Sequence, residues 1–336
     1  MQIRLPTQNV RACLSRRLRG VLIALCCTAF IPALATAQTF PDKPITLVVT
    51  FAAGSGSDVV ARFYAQALKE SLDATAVVDI KPGGLGMIGA HAVARAAPDG
   101  YTVLIGSGTV NAANYALYRD RITYKPEQFE PVAVLSASST VLFATKDLTG
   151  DTIREVIEDA RRKQRKLACG SGNAITQVAC LMLGLKTGAD IVNVPYKGNA
   201  QSIADVASGQ IPLAVSDTGA ALPLIQAGMV RPVAVPSSHR LPEFPDAKTF
   251  EEQGFPDFDF LAWSAIFVPA GTPKGVIAKL NEAARHMLAS PEWERQRITT
   301  NGIKVSGDLK ESQDFVTAEI SKWERYVQKS GVKPEQ

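Results

Sequence analysis

The sequence predicts an α/β protein of two units, each a mainly parallel sheet flanked by helices, with a cleft between them. Three observations predict it. Short apolar, β-branched runs alternate with helical periods from end to end, and glycine-rich loops join strand to helix. The alternation restarts after Leu148. The length also exceeds what a single core usually fills, because the 336 residues less a 37-residue leader leave 299.

The leader comes first. Arg4, Arg11, Arg16, Arg17 and Arg19 form a basic front with no acid, an apolar run follows from Val21 to Ile31, and Ala35-Thr36-Ala37 precedes Gln38. This is the charged, apolar and small-residue order of a secretory signal peptide, cleaved after Ala37. The run is too short for a confident membrane span. A lipid-bearing cysteine is disfavoured, since Leu25 is large before Cys26 and Cys27, and Arg19 disfavours a twin-arginine signal. The mature chain is therefore expected in the periplasm, secreted through the inner membrane. Losing five arginines and no acid turns the net charge from +4 to −1. The basic balance of the whole chain thus says nothing about nucleic acid, and no mature segment combines a basic stripe with interleaved aromatics. Of five cysteines only Cys169 and Cys180 remain. In an oxidising compartment they either pair or are two small buried residues.

In the first unit, residues 45–49 read as a strand, and Val60, Phe63, Ala67 and Leu68 follow at helical spacing. Residues 76–80 form a strand, Pro82-Gly83-Gly84 a loop, and a helix runs to about Ala97. Pro98-Asp99-Gly100 is a turn before a strand at 101–105. In the second unit a helix is expected at 152–164, with Ile153, Val156, Ile157 and Ala160 on one face. Strands at 167–170, 191–194, 211–215 and 232–235 alternate with helices at 174–185, 201–207 and 219–226. The Pro-rich, charged stretch 236–256 reads as a surface excursion. Thr272 is expected to cap a helix with Pro273 at its first position, and Phe315, Glu319, Trp323 and Tyr326 lie on a last helix ended by Gly331. The chain crosses between the units near Val141 and Phe260.

Ligands of open α/β sheets bind beyond the carboxyl ends of the strands, so the loops there are the candidate sites. Phe51-Ala52-Ala53-Gly54-Ser55-Gly56-Ser57-Asp58 joins a strand to a helix. Its small residues admit close approach of backbone N–H groups, the helix presents its positive end, and Asp58 orients the loop. A simple capped turn is the alternative. Cys169-Gly170-Ser171-Gly172-Asn173 repeats the device in the second unit, and two such loops across a cleft would grip one carboxylate and couple binding to hinge closure. Ser107, Tyr196, Asp217 and Trp263 also fall at strand ends or crossings and are weaker candidates for selectivity. Tyr196 is matched by the alternative of a surface turn, and Trp263 walls the cleft or packs under the hinge.

Other chemistries find less support. Gly84-Leu85-Gly86-Met87-Ile88-Gly89 matches a dinucleotide fingerprint, but the next strand ends without the acid that would hold a ribose, so a glycine turn with close helix packing is preferred. No serine has glycines at both −2 and +2, and His91, His239 and His286 are scattered without metal-ligand spacing. The basic run at 161–166 reads as a solvated helix end.

Across nearly all its mature length the chain resembles the Bug-type periplasmic solute-binding proteins, the receptors of tripartite tricarboxylate transporters. The resemblance rests on Phe40-Pro41-Asp42-Lys43-Pro44-Ile45, residues 51–58, Lys81-Pro82-Gly83-Gly84 with Ile88-Gly89, Ala97-Pro98-Asp99-Gly100-Tyr101, Val194-Pro195-Tyr196-Lys197-Gly198 and Pro269-Ala270-Gly271-Thr272-Pro273. It implies a two-domain periplasmic-binding-protein clamshell of type II-like form, with domain 1 at 38–141 plus 262–336 and domain 2 at 142–261. It implies an extracytoplasmic, monomeric receptor without catalysis, metal or cofactor. Its ligand would be a small organic carboxylate held by residues 51–58 and 170–173, and its partners the membrane permease subunits of a tripartite tricarboxylate-type transporter. Ala53 and Ser55 depart from the usual Pro and Gly of the first loop, and Ala174-Ile175-Thr176-Gln177-Val178 is less polar than usual. A ligand with an aromatic or hydrocarbon body is therefore expected. A secreted α/β enzyme acting on a carboxylate, or a ligand sensor for a membrane signalling protein, are the alternative functions.

Overall fold

Among the described residues nine strands form one sheet; eight follow a hydrogen-bonded path in the order β2 (Ala76–Ile80), β1 (Ile45–Val49), β3 (Thr102–Ser107), β9 (Leu261–Pro269), β4 (Phe129–Thr145), β7 (Leu213–Asp217), β5 (Ala168–Ser171) and β6 (Val192–Pro195), and β8 (Val230–Ala234) pairs with β4. The structure, a computed structural model, describes residues 40–330 apart from 238 and 301. The leader, its expected cleavage after Ala37 and the expected stop at Gly331 lie outside the described residues.

The first group of elements is β1 (Ile45–Val49), α1 (Gly56–Leu72), β2 (Ala76–Ile80), α2 (Met87–Ala94) and β3 (Thr102–Ser107). β1 takes β2 on one side and β3 on the other, both parallel. Ile45, Leu47 and Val49 are fully buried, as suits a strand covered on both faces. After β3 the chain makes a π-helical turn, Thr109–Ala113, and a short α3 (Asn114–Leu117), which periodicity did not reveal.

The second group is α4 (Ile153–Arg162), β5 (Ala168–Ser171), α5 (Ala174–Thr187), β6 (Val192–Pro195), α6 (Asn199–Ala207), β7 (Leu213–Asp217), α7 (Thr218–Gln226) and β8 (Val230–Ala234). β5 pairs parallel with β6 and β7. α4 starts where the sequence places it. Thr152 Oγ1 accepts the Glu155 amide, and the Glu155 carboxylate accepts the Thr152 amide, which is a reciprocal cap. The basic run at 161–166 is exposed except at Arg165, which is half-buried, as suits a solvated helix end. Arg162 and Lys163 pair with Asp159, and Arg165 donates to the Gly209 carbonyl.

Two long strands connect the groups. β4 (Phe129–Thr145) pairs with β9 (Leu261–Pro269) over its first part, and with β7 and β8 over its last. One carries the chain from the first group to the second and the other brings it back, so they lie antiparallel to each other. The parallel cores are thus as expected, and the antiparallel pairings come from these two connectors.

α8 (Lys274–Ala289), α9 (Pro291–Thr299) and α10 (Leu309–Ser330) complete the described residues. Pro273 is the cap of α8, one residue later than expected, because the Thr272 hydroxyl donates to the Pro269 carbonyl instead of capping. The stretch at 236–256 lacks helix and strand, yet it is not a mere surface excursion. Phe244, Phe250 and Phe255 are buried, and Phe250 stacks on Phe258 with ring centroids 4.1 Å apart. Apolar burial at about 25 cal/mol per Å² outweighs the local polarity that suggested a surface loop.

Candidate functional site

The first loop is self-organised. Ser55 caps α1, its Oγ accepting the Asp58 amide at 3.4 Å. Asp58 returns the bond: its Oδ2 accepts the Gly54 amide at 2.8 Å. Arg62 Nε lies 3.0 Å from Asp58 Oδ1, so the carboxylate is neutralised from its own helix. Asp58 and Ser57 are buried, whereas Ala53, Gly54 and Gly56 are exposed. Asp58 therefore orients the loop, as expected, and the α1 end presents a positive dipole over exposed, small residues.

The second loop is held more tightly. Asn173 caps α5, its Oδ1 accepting the Thr176 amide at 3.0 Å. The Gly172 amide donates to Thr176 Oγ1 at 3.0 Å and to Asn199 Oδ1 at 3.1 Å, and the Asn173 amide to Thr176 Oγ1 at 3.2 Å. Asn199 Nδ2 donates to Asp217 Oδ2 at 2.8 Å, and Asp217 Oδ1 caps α7 by accepting the Ala220 amide at 2.9 Å. The Ser171 hydroxyl donates to Asn193 Oδ1 at 2.8 Å. One network thus brings Ser171, Gly172, Asn173 and Asp217 together. Thr176, Asn193 and Asn199 complete it and were not singled out from sequence. The signal that would have found Asn199 is its place at the start of a helix beyond a strand end.

Cys169 and Cys180 are disulfide-bonded, their Cα atoms 5.7 Å apart. The bond closes the strand–loop–helix segment that contains Ser171, Gly172 and Asn173. Of the two readings left open by the sequence, pairing is the one the structure adopts.

Ser107 ends β3. Its Oγ accepts the Val110 amide at 3.3 Å, and its amide donates to Asn111 Oδ1 at 3.3 Å. Next to it Gly108 is hemmed in. A Cβ there would lie 2.8 Å from Trp263 Nε1 and 2.9 Å from Ile175 Cδ1. The end of β3 therefore meets both β9 and the first turn of α5. Trp263 is buried, donates from Nε1 to Glu319 Oε2 at 2.9 Å, and packs edge-on against Phe315. As part of β9 it lies against the last helix on one side and beside Gly108 on the other. Tyr118 Oη donates to Gln177 Oε1 at 3.0 Å, and Thr218 Oγ1 donates to the Thr300 carbonyl at 3.0 Å.

Tyr196 is placed apart from the other candidates by its hydroxyl, which donates to Asp205 Oδ2 at 2.7 Å on α6. Burial, and then the Asp205 carboxylate, push its pKa up to about 12. Its amide still donates to the Ser171 carbonyl at 2.8 Å, so its backbone supports the second loop. The bonds of residues 54–58 run within their own loop and helix. Among the described residues no group of His, Cys, Asp and Glu is arranged to hold a metal ion, and no helix is long and apolar enough to cross a membrane.

This geometry has counterparts. The Bordetella pertussis protein BugT is 31% identical over 321 residues, covering 94% of this chain and 98% of its own. A solved Rhodopseudomonas palustris protein with adipate is 31% identical, with a TM-score of 0.80, over 88% of this chain and 100% of its own. MatC of Rhodopseudomonas palustris, with bound malate, is 28% identical with a TM-score of 0.78, over 86% of this chain and 100% of its own. The fold is that of periplasmic binding proteins. The family described as "Tripartite tricarboxylate transporter family receptor" matches residues 60–332. The family match spans most of the chain and BugT is alike over nearly all of it, so the chain belongs to the tripartite tricarboxylate transporter receptor family, of which the Bug proteins are relatives.

Proposed function

We propose that this chain captures a small organic carboxylate in the periplasm by hinge closure and delivers it to the permease subunits of a tripartite tricarboxylate-type transporter. The two closing bodies are residues 38–141 with 262–336, and residues 142–261. The observation that carries the reading is the seam at Gly108, where the end of β3 meets Ile175 in the first turn of α5 and Trp263 in β9. A strand end of the first group thus faces the start of the helix that follows β5 in the second, and ligands of open sheets bind beyond such strand ends. β4 and β9 carry the chain between the groups, and in this reading the hinge lies at their two crossings, near Val141 and Phe260.

In this reading the grips are backbone N–H groups and hydroxyls rather than paired cations, which suits a carboxylate held reversibly, and the Gly54, Gly172 and Asn173 amides, bonded inside their own loops, shape those grips. Relatives solved with adipate and malate support that ligand class. Ala53, Gly54, Ser55, Gly56, Ser57 and Asp58 form the first grip, and Ser171, Gly172 and Asn173 the second. Ser107, Asp217 and Trp263 border them, and Tyr196 supports the second loop from behind. The role is binding without turnover.

A thermal-shift screen of residues 38–336 against organic acids, followed by calorimetry, tests the reading. A ligand that binds only the folded state raises the melting temperature, by about 2.7 kcal/mol of stability at a hundredfold excess over Kd. The expected result is a shift with one acid class, the acid being recovered unchanged. Conversion of the acid, or no shift with any acid, would overturn the proposal.

A further inference from the structure

Leu85 stands in the left-handed region, at φ 52° and ψ 36°, in the 3-10 turn Gly84–Gly86. The other described non-glycine residues with positive φ are Asp73, Gln164 and Asp257, all polar. In this region an L-residue sets its Cβ close to its own carbonyl, and such a conformation persists only where the surroundings over-determine it. Here they do. The Gly86 amide donates to the Gly83 carbonyl at 3.0 Å. Asn114, fully buried, donates from Nδ2 to the Leu85 carbonyl at 3.1 Å. Gly86 fits so closely that a Cβ would lie 2.5 Å from Val110 Cγ2. The backbone of Leu85 is thus pinned on both sides, and glycine would make the same turn with less strain. What leucine adds is its side chain.

That side chain sits at the edge where the ligand loops emerge. β2 runs parallel to β1 with Ile80 opposite Val49, so the loop after β2 leaves the sheet beside residues 51–58. Leu85 is half-buried against the main core, as are Phe51, Met87 and Tyr115. Its turn packs on the π-helical segment, which in turn packs on α5. Phe51 of the first loop and Leu85 of the adjacent turn both pack against this apolar core, and the charges beside the loop, Asp58 and Arg62, are paired with each other.

We infer that Leu85 is a specificity-determining residue, forming part of an apolar wall that contacts the hydrocarbon body of the bound carboxylate. The inference rests on the receptor reading above and adds to it the residue that selects the ligand. Two variants test it. Leu85→Gly keeps the left-handed turn and removes the side chain. Leu85→Asn also tolerates the turn and keeps comparable bulk, but is polar. Calorimetry with succinate, adipate, suberate and malate gives the affinity ratio of adipate to malate for each protein. Both variants should melt at or near the wild-type temperature and lower that ratio about tenfold, the scale of a methylene-sized contact in an apolar pocket. A ratio that is unchanged or raised in the folded variants overturns the role of Leu85 alone. A wild-type protein that binds none of the four acids or any other carboxylate overturns the receptor reading, and the role of Leu85 with it.

Discussion

Asn199 joins the second loop to Asp217: its Oδ1 accepts the Gly172 amide at 3.1 Å while its Nδ2 donates to Asp217 Oδ2 at 2.8 Å. One amide side chain satisfies a loop donor and a helix-capping carboxylate at once. Replacing it by Ala leaves both without that partner. Asn199→Ala should lose about 1–3 kcal/mol of stability, and weaken ligand binding beyond what the lost stability explains. Urea denaturation and calorimetry read the two effects. Unchanged affinity in a destabilised but folded variant would show that the network is structural only.

Gly172 and Gly54 should respond differently to alanine. A Cβ at Gly172 would lie 2.1 Å from the Asn199 amide nitrogen, a backbone atom that cannot yield cheaply. A Cβ at Gly54 meets nothing within 4 Å, but its φ is +80°. Gly54→Ala should therefore cost about 1 kcal/mol from backbone strain, and Gly172→Ala several times more. Thermal melts of the two variants side by side decide it, and equal losses would contradict the packing.

The Cys169–Cys180 disulfide spans a sequence separation of 11 residues. By loop-closure entropy such a bond is worth about 3 kcal/mol. The Cys169→Ala/Cys180→Ala double variant should melt several degrees lower than wild type. Wild-type protein fully reduced should approach it. Differential scanning calorimetry with and without reductant checks this, and coincident melts of oxidised and double-variant protein would refute it.

Asp159 carries a pH prediction. Lys163, the Thr149 amide and Arg162, in that order, hold its carboxyl below the usual range. A carboxyl whose folded-state pKa is depressed contributes stability above its unfolded pKa and loses it as pH falls through the folded value. Asp159→Asn should therefore be less stable than wild type at neutral pH, with the gap closing as the pH drops below about 4. Melting temperatures from pH 2 to 7 for both proteins test the sign.

Trp263 offers a further check. Its indole N–H satisfies Glu319, which is buried and also paired with Lys322 at 2.6 Å. Trp263→Phe removes one donor from a buried carboxylate and should cost about 1–3 kcal/mol, read by chemical denaturation. A neutral substitution would mean that Lys322 alone suffices.

Local chemistry decided much of this protein from the sequence. The strand–loop–helix order, the parallel cores, the start of a helix at 152 and the orienting role of Asp58 follow from periodicity and from bonds between residues three or four apart, which any chain segment carries with it. The motif resemblance that identified the family is likewise a property of order and spacing. Only the tertiary structure decided the rest. β4 was missed because it pairs with three strands far away in sequence, β7, β8 and β9, and is buried only once they return. The buried phenylalanines at 236–256 found their partners from other segments, against the local polarity. The choice of a bonded Cys169 and Cys180, the Asn199 bridge and the left-handed Leu85 all depend on which distant groups come within hydrogen-bonding or contact distance. Spacing along the chain carries no record of that distance, whereas the close-packed fold enforces it.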